Sequence, residues 1–362
     1  MSLPSFYFLA ITLLVLSVES CTGEGQAGPS RGIERREVIL GAAIPLTDNG
    51  APLLAKPDWI SEDSRGRIFA TDYSDRDVKV YDARGRRVAT IGRAGRGPGE
   101  FESLLAAQVY RDSLLGFDMV GARVSFFGPD GRFARALPVM SADRAPPFLV
   151  RAVDDSLLLL ISPIQSGRRL LTLARADGSV RSSFLSLRQY VGTSPQALGA
   201  MGLLADARGG RVFAAVAGGD SVWAFDYDGR RLAAFAADPV QPLKTMRALV
   251  ESNGGRIRRA NGGYVVDGNR MVVGLVALDS GTVALQIAPF DGRLGIDLEE
   301  GGTIVVSALS GTTGRVIARR EVDGALLGRD RRGRLLFLRY TTPAAEAHEL
   351  VRATLELPPG AR

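Results

Sequence analysis

Hydrophobic positions in this chain come in short runs broken by Gly, Asp and Arg, with no long helical period. The clearest unit runs from Pro57 to Phe101: PDWISEDSRGRIFATDYSDRDVKVYDARGRRVATIGRAGRGPGEF. Two hydrophobic strands meet at Arg65-Gly66, a polar loop follows, and a second pair meets at Arg84-Gly85. Tight hairpin turns need positive φ, which Gly and Asn tolerate. The flanking Val, Ile, Leu and Phe suit buried, pleated strands. The unit therefore predicts one four-stranded antiparallel meander.

The inner hairpin of that unit recurs. Matching turn-plus-strand segments lie at SRGRIFAT (64–71), RDSLLGFD (111–118), DDSLLLLIS (154–162), RGGRVFAAV (208–216), DGNRMVVGLV (267–276) and RRGRLLFLR (331–339). Outer hairpins are marked by turns at Gly85, Gly131, Gly178 and Gly229. Repetition at a period of roughly 40–50 residues is the signature of a propeller. The expected fold is all-β, a six-bladed β-propeller of four-stranded antiparallel blades.

The fifth blade reads less clearly. Residues 278–302 look like an insertion, with that blade's outer strands near 303–322. The sixth has an inner hairpin at Ala325–Tyr340 and one further strand at Glu349–Leu357, one strand short. The stretch Glu37–Ile44 (EVILGAAI) precedes blade one and predicts the missing outer strand, closing the ring. Closure removes open sheet edges, which otherwise template aggregation. A second insertion is expected near 241–263. There Pro242–Ser252 carries Leu243, Met246, Leu249 and Val250 at helical spacing, and Asn253-Gly254-Gly255 is a stop signal.

Composition fits this reading and adds little. The chain has 362 residues, 46% hydrophobic, with 43 Gly for many turns. Its net charge of +6 invites a nucleic-acid reading. Only three of the 45 basic residues are Lys (Lys56, Lys79, Lys244), and Arg is spread through the turns rather than gathered in a patch. Solvated surface Arg accounts for that better than an electrostatic footprint.

The N-terminus carries an address. Phe6–Val18 (FYFLAITLLVLSV) is too short to span a bilayer comfortably and suits a signal-peptide core. It leads through Val18-Glu19-Ser20 to Cys21, the only cysteine. That string resembles a bacterial lipobox, which implies cleavage before Cys21 and lipidation of its sulfur. Thr22 follows where Asp would suggest inner-membrane retention, which points to the outer membrane. The expected organisation is a signal peptide over 1–20, a flexible tether over 21–35 and a monomeric propeller domain over 36–358. Disulfides have no role in a domain without further cysteines.

Blade one resembles an NHL repeat. Pro57, the Asp63–Gly66 turn, Ile68, Phe69, Asp72, Val78, Val80, Tyr81, Asp82 and Gly85 follow the family pattern, and GRAGRGPGEF (92–101) resembles its connecting loop. Ala70 and Lys79 depart from it. Blades two and four match partially; three, five and six match in outline. Lipid-anchored six-bladed propellers of the NHL-like or TolB-like kind are known from bacterial envelopes. The resemblance thus implies an exported envelope protein.

Chemistry-bearing residues gather on one loop face. The loops joining second and third strands share that face with the blade-to-blade connections. Asp72, Tyr73, Asp75 and Arg76 therefore fall beside Arg93, Arg96 and Glu100, with Asp118 and Arg123 in the next blade, Asp220 in the fourth, and Arg339 and Tyr340 in the sixth. Propellers bind ligands where such loops converge. Asp72, Arg76, Arg96, Asp118 and Arg123 are the candidate ligand-binding residues. Asp72 and Asp118 are the candidate ligands for a cation such as Ca²⁺; alternatively they cap turns and pair with Arg. No other cofactor is implied.

Catalysis has less support. The one His, His348, lies beside the last strand, the one Gly-x-Ser-x-Gly string (Gly28–Gly32) falls in the tether and not in a strand-to-helix turn, and zinc-binding Cys/His sets are excluded by count. Some NHL-like propellers are lyases that hold a metal with several His, and lactonase-like propellers use carboxylates with Asn. The four Asn here (Asn49, Asn253, Asn261, Asn269) are not placed for such a cage. Two functions remain in view. One is a non-catalytic scaffold docking an envelope protein, peptide or glycan, touching the membrane only through its lipid. The alternative is a metal-dependent hydrolase or lactonase with a carboxylate-lined mouth.

Overall fold

The computed structural model describes residues 34–50, 54–111, 113–163, 169–187, 202–245, 248, 258–260, 263–265, 270–289, 301–341 and 347–358. The signal segment, Cys21 and most of the tether fall outside them. Two short strands come first, β1 (Glu37–Leu40) and β2 (Ile44–Leu46). Blade one is β3 (Pro57–Glu62), β4 (Ile68–Asp72), β5 (Asp77–Tyr81) and β6 (Arg87–Ile91). Blade two is β7 (Leu104–Tyr110), β8 (Ser113–Asp118), β9 (Arg123–Phe127) and β10 (Phe133–Pro138). Blade three is β11 (Leu149–Val153), β12 (Leu157–Ile161), β13 (Leu171–Arg175) and β14 (Val180–Phe184). Blade four is β15 (Leu203–Arg208), β16 (Arg211–Val216), β17 (Ser221–Asp226) and β18 (Arg231–Ala236). A separate hairpin follows, β19 (Arg258–Ala260) with β20 (Gly263–Val265). Blade five is β21 (Arg270–Ala277), β22 (Thr282–Pro289), β23 (Gly302–Ser310) and β24 (Thr313–Val322). Blade six is β25 (Ala325–Arg329), β26 (Leu335–Tyr340) and β27 (His348–Glu356), completed by β1. All six blades are antiparallel meanders forming the expected propeller.

The middle strands are hydrophobic without alternation because both sheet faces are covered by neighbouring blades. All of Leu157–Ile161 (LLLLI) is buried, for example. Six hydrophobic clusters occupy the six blade-to-blade interfaces among the described residues. The interface that joins the chain's two ends has one too: Leu46, Ile60, Ile68 and Tyr81 pack there against Leu336, Leu338 and Leu350.

The closing strand is two strands. Both β1 and β2 pair with β27, from Glu37 opposite Glu356 to Leu46 opposite His348. Between them 41–43 face only Val351 and Arg352, a one-residue excess that breaks the ladder as a bulge does. The chain then continues onto blade one, where Thr47 donates to the Gly85 carbonyl at 2.8 Å and accepts from the Arg87 amide at 2.9 Å. Gly85 has φ of 81°, and a Cβ there would stand 2.1 Å from the Pro45 carbonyl oxygen. A glycine is needed for the approach as well as for the turn.

Blade five corrects the sequence reading. RMVVGLVA is its innermost strand and not its second, and Thr282–Pro289 is a blade strand inside the segment read as an insertion. The inner turn is Asp279-Ser280-Gly281. The string Asp267-Gly268-Asn269 ahead of a hydrophobic run imitated a hairpin turn but precedes the blade. Residues 290–300 lie outside the described set. Of the helix expected over 242–252, residues 242–245 have no regular structure, and most of the rest lies outside. Among the described residues no helix is long and apolar enough to cross a membrane.

The arginines of the turns have a structural explanation. In the Asp-x-x-Gly-Arg turns the carboxylate accepts from the backbone, and the Arg four residues on returns to it. Asp63 takes the amides of Arg65 and Arg67, each at 2.9 Å, and the Arg67 Nε at 2.7 Å. Asp82 with Arg86, Asp226 with Arg230, and Asp330 with Arg334 repeat the arrangement. Much of the basic surplus is therefore turn chemistry.

A second set of polar side chains joins the blades. Innermost strands leave amides unpaired toward the channel, and buried amides need acceptors. Thr71 Oγ1 accepts from the Ala107 amide at 2.9 Å, and Gln108 Oε1 from the Ala152 amide at 2.7 Å. Asp206 Oδ2 accepts from the Ala277 amide at 2.9 Å, and Gln286 Oε1 from the Leu326 amide at 2.7 Å. In each pair a side chain of one blade satisfies the innermost strand of the next.

Candidate binding site in the central channel

At the loop face expected to carry the site, the carboxylates are saturated. Asp72 ends β4 fully buried, where it accepts from the amides of Ala55 (2.7 Å), Lys56 (3.3 Å), Ser74 (3.0 Å) and Asp75 (3.3 Å). The buried Lys79 ammonium donates to it at 2.6 Å, and also to Asp75 at 2.5 Å and Asp77 at 3.4 Å. Asp72, Asp75 and Asp77 are close enough to surround a cation, and the Lys79 ammonium stands among them. Burial pushes Asp72 upward, but the Lys79 bond and the Ala55 amide outweigh it and hold the carboxyl below its ordinary value. Burial likewise works against the Lys79 charge, and its bonds to Asp72 and Asp75 raise it above the ordinary lysine value.

Asp118 repeats the pattern in blade two. It accepts from the amides of Glu102 (3.1 Å), Ser103 (2.9 Å) and Gly121 (3.2 Å), with Arg123 Nε at 3.4 Å. Arg123 donates to the carbonyls of Arg96, Gly97 and Glu100 and clamps the glycine-rich connection. In that connection Glu100 binds the Gly97 amide and Arg93, Arg96 pairs with Glu102, and Phe101 is buried against Phe127. Gly92, with φ of 79°, leaves no room for a Cβ beside the Phe101 ring. The structure thus gathers Arg96, Asp118 and Arg123 around one loop. Asp72 belongs to a separate cluster, and Arg76 is exposed on its rim at φ of 58°. Elsewhere on the rim, Ser221 donates to Asp220, Arg339 pairs with Glu349, and Tyr340 stacks on His348.

One carboxylate at this end of the channel is not saturated. Burial raises Asp58, on β3, to about 6, against the pull of Lys56 and with the help of Asp72. A carboxyl raised in the folded state favours folding below its unfolded value of 3.8, and that contribution is lost as pH rises through 6. Asp58→Asn is expected to leave the melting temperature unchanged at pH 4 and raise it at pH 8. The gain is about 2 kcal/mol after allowance for solvent screening. Melting curves across that range check it; equal curves at pH 8 would contradict the buried charge.

The opposite mouth, bounded by the inner hairpin turns, opens into a cavity of about 350 Å³. Trp59, Gln108, Asp206, Arg208 and Arg329 contribute from the innermost strands, and Arg111, Asp154 and Arg331 from the turns. Most of its carboxylates have protein partners. Glu62 meets Arg352 at 2.7 Å and Arg334 at 3.5 Å, Asp330 meets Arg334, and Asp206 meets Arg329. Asp154 accepts from the Tyr227 hydroxyl at 2.6 Å and the Gly209 amide at 3.3 Å.

Donors in and beneath this mouth are less well supplied. Arg151, on β11, is 5% exposed, and its guanidinium lies 3.9 Å over the Trp59 ring. Its Nε and Nη1 meet no protein acceptor, nor do Gln108 Nε2 and Arg208 Nη1. Burial pulls Arg151 down to about 10, opposed by Asp206 and aided by Arg329. It stays charged at neutral pH. Sequence reasoning missed this mouth. The available signal was Arg151 inside the strand LVRAV, one residue ahead of the Ala152-Val153 end that leads into the Asp154-Asp155 turn.

Among the described residues lining this mouth, the one hydroxyl is that of Ser61. Ser61 accepts from the Val109 amide at 3.2 Å. His348 is buried in blade six against Tyr340, and burial lowers its pKa despite Asp48 and Asp72.

No protein-family model matches the chain, and no curated protein matches it in sequence. Solved structures do match in fold. A member of the DUF4221 family from Bacteroides vulgatus aligns with a TM-score of 0.57 at 11% identity, over 89% of this chain and 98% of that one. A "putative exported protein" from Bacteroides fragilis aligns with a TM-score of 0.56 at 11% identity, over 88% and 95%. At such identity the likeness carries the fold alone: this chain is a six-bladed β-propeller, similar over nearly its whole length to both.

Proposed function

We propose that the protein is an exported, non-catalytic binding protein of the bacterial cell envelope, a propeller of the NHL-like kind. It is held at the outer membrane by lipid on Cys21 and docks a protein, peptide or glycan. The observation that carries this reading is the cavity at the inner-turn mouth, a polar space lined by charged and amide side chains, where no nucleophile stands beside a base among the described residues. The opposite, loop-face mouth spends its carboxylates on Lys79 and on backbone amides, which favours docking at the inner-turn mouth. One structural neighbour is named a "putative exported protein", which is compatible with export.

The test is retention of envelope peptides and glycans on arrays by the wild-type domain and by Arg111→Glu, which reverses charge at the exposed rim. Ligands held by the wild type and lost at least tenfold in the variant are the expected result. Equal retention by both would move the site elsewhere. Cleavage of a retained ligand would replace a binding protein with an enzyme.

A further inference from the structure

We propose that the inner-turn cavity takes the neutral end of a glycan, about one or two sugar rings held by their hydroxyls. This rests on the reading of the protein as a binding protein and names the chemistry of that site. The charges inside the cavity are spent within the protein. Glu62 and Asp330 are answered by Arg334 and Arg352, and Asp206 by Arg329. Asp154 holds the Tyr227 hydroxyl and the Gly209 amide. Arg208 Nη2 donates to the Arg331 carbonyl at 2.7 Å, and Arg331 in turn donates to the Arg111 carbonyl. Among the described residues no three carboxylates of the lining converge as the ligands of a metal would. A fully charged ligand therefore meets no free counter-charge beyond the rim, and a desolvated charge without one is costly.

Two rim groups keep hydrogen-bonding capacity, and they are of opposite sign. Arg111 and Asp155 are both exposed and both line the cavity. They stand side by side, because Arg111 Nε donates to the Asp155 backbone carbonyl at 2.7 Å. That bond leaves the terminal nitrogens of Arg111 and the carboxylate of Asp155 for a ligand. A hydroxyl both donates and accepts, so neighbouring hydroxyls of a sugar ring match such a pair. A carboxylate or an ammonium would satisfy one member and be opposed by the other. Trp59 is the one aromatic side chain of the lining, and with Val109 and Ala152 it supplies apolar surface for the C–H face of a ring. No residue of the loop-face mouth lines this space, so it is a recess that receives a chain end and not a passing strand. A peptide end carries a full charge, whereas the non-reducing end of a neutral glycan carries none. The volume of about 350 Å³ lies at the small end for ligand pockets and suits a mono- or disaccharide.

Trp59 and Trp223 are the two tryptophans, so Trp223→Phe makes Trp59 the sole indole reporter at the site. In that background, cellobiose, maltose, N,N′-diacetylchitobiose, glucuronate and dialanine are titrated while Trp59 emission and the melting temperature are followed. A saturable change with at least one of the neutral disaccharides is expected, with glucuronate and dialanine binding at least tenfold more weakly. The sugar affinity should hold between about 0.05 and 0.5 M NaCl, where a charged ligand would lose affinity. Asp155→Ala should weaken sugar binding several-fold, and Trp59→Leu, followed by calorimetry, at least tenfold. Should Trp59→Leu fail to fold, Asp155→Ala at its exposed position decides alone. No response to any of the disaccharides overturns the proposal, as does an equal response to glucuronate or dialanine. Array capture that is still lost in Arg111→Glu would then leave the binding reading standing. Sugar binding undiminished in the variants would overturn the placement in this cavity.

Discussion

Removing residues 37–46 is expected to abolish cooperative folding of the propeller at 37 °C. The segment lies at the chain's start, where trimming is usually harmless. Here it supplies the outer ladder of blade six through β1 and β2 and buries Val38 and Leu46 in two different blade interfaces. Those two side chains alone contribute on the order of 4 kcal/mol. The deletion also removes the ladder along β27 and exposes its edge. Against a total stability of about 5–15 kcal/mol, that is most of what holds the domain together.

A complementary variant separates closure from general damage. Ile39 and Thr354 face each other across β1 and β27. Cysteines there would lock the two ends of the ring, within the reach of a disulfide. Oxidised Ile39→Cys/Thr354→Cys is expected to melt several degrees above its reduced form, since the bond closes a very long loop. Melting curves of deletion, oxidised and reduced proteins decide the point. A deletion that keeps its wild-type midpoint would mean that the ring does not depend on its clasp.

The parts of this fold that could be read in the sequence are those written in turn chemistry. Asp63, Asp82, Asp226 and Asp330 each precede a Gly by three residues and an Arg by four, so hairpins announced themselves even where strands had diverged. Blade five was misread by one strand because Asp267-Gly268-Asn269 has the same chemistry without the same place. The rungs between blades were not legible. Thr71, Gln108, Asp206 and Gln286 sit inside strands, where a polar residue reads as a solvent-facing position, and only the next blade's unpaired amides give it a reason to be buried. The candidate site shifted for a related reason. Carboxylates at strand ends were visible on the loop face, but a carboxylate's worth to a ligand depends on what it already holds. Asp72 and Asp118 already hold backbone amides and basic side chains. Arg151 looked like one Arg among many until its surroundings were known.

Lys79→Met is expected to cost about 3–5 kcal/mol, the range for breaking one side of a buried ion pair. With Ala70, the residue is one of two departures from the NHL repeat that blade one resembles in sequence, and the structure shows what it does there. Its ammonium is fully buried and bonds Asp72 at 2.6 Å and Asp75 at 2.5 Å. Without it, Asp72 keeps its amide partners but becomes a buried carboxylate with no counter-ion. The pH dependence identifies the mechanism. Asp72 is held below 3.8 in the folded protein, so its contribution is present above that value and is lost as pH falls through the folded value. Lys79 is held above 10.5, so its contribution persists through neutrality and fades only at higher pH. The stability gap between wild type and Lys79→Met should therefore be widest near neutral pH and narrow toward pH 3, where Asp72 in the variant can take up a proton. Adding Asp72→Asn to Lys79→Met should recover part of the loss, because it removes the charge left unpaired. Denaturant midpoints at pH 7 and pH 3 for the two single variants and the double variant provide the cycle. A gap that stays constant with pH, or a double variant no better than Lys79→Met, would assign the loss to packing of the lysine stem, and the cluster would owe nothing to its charges.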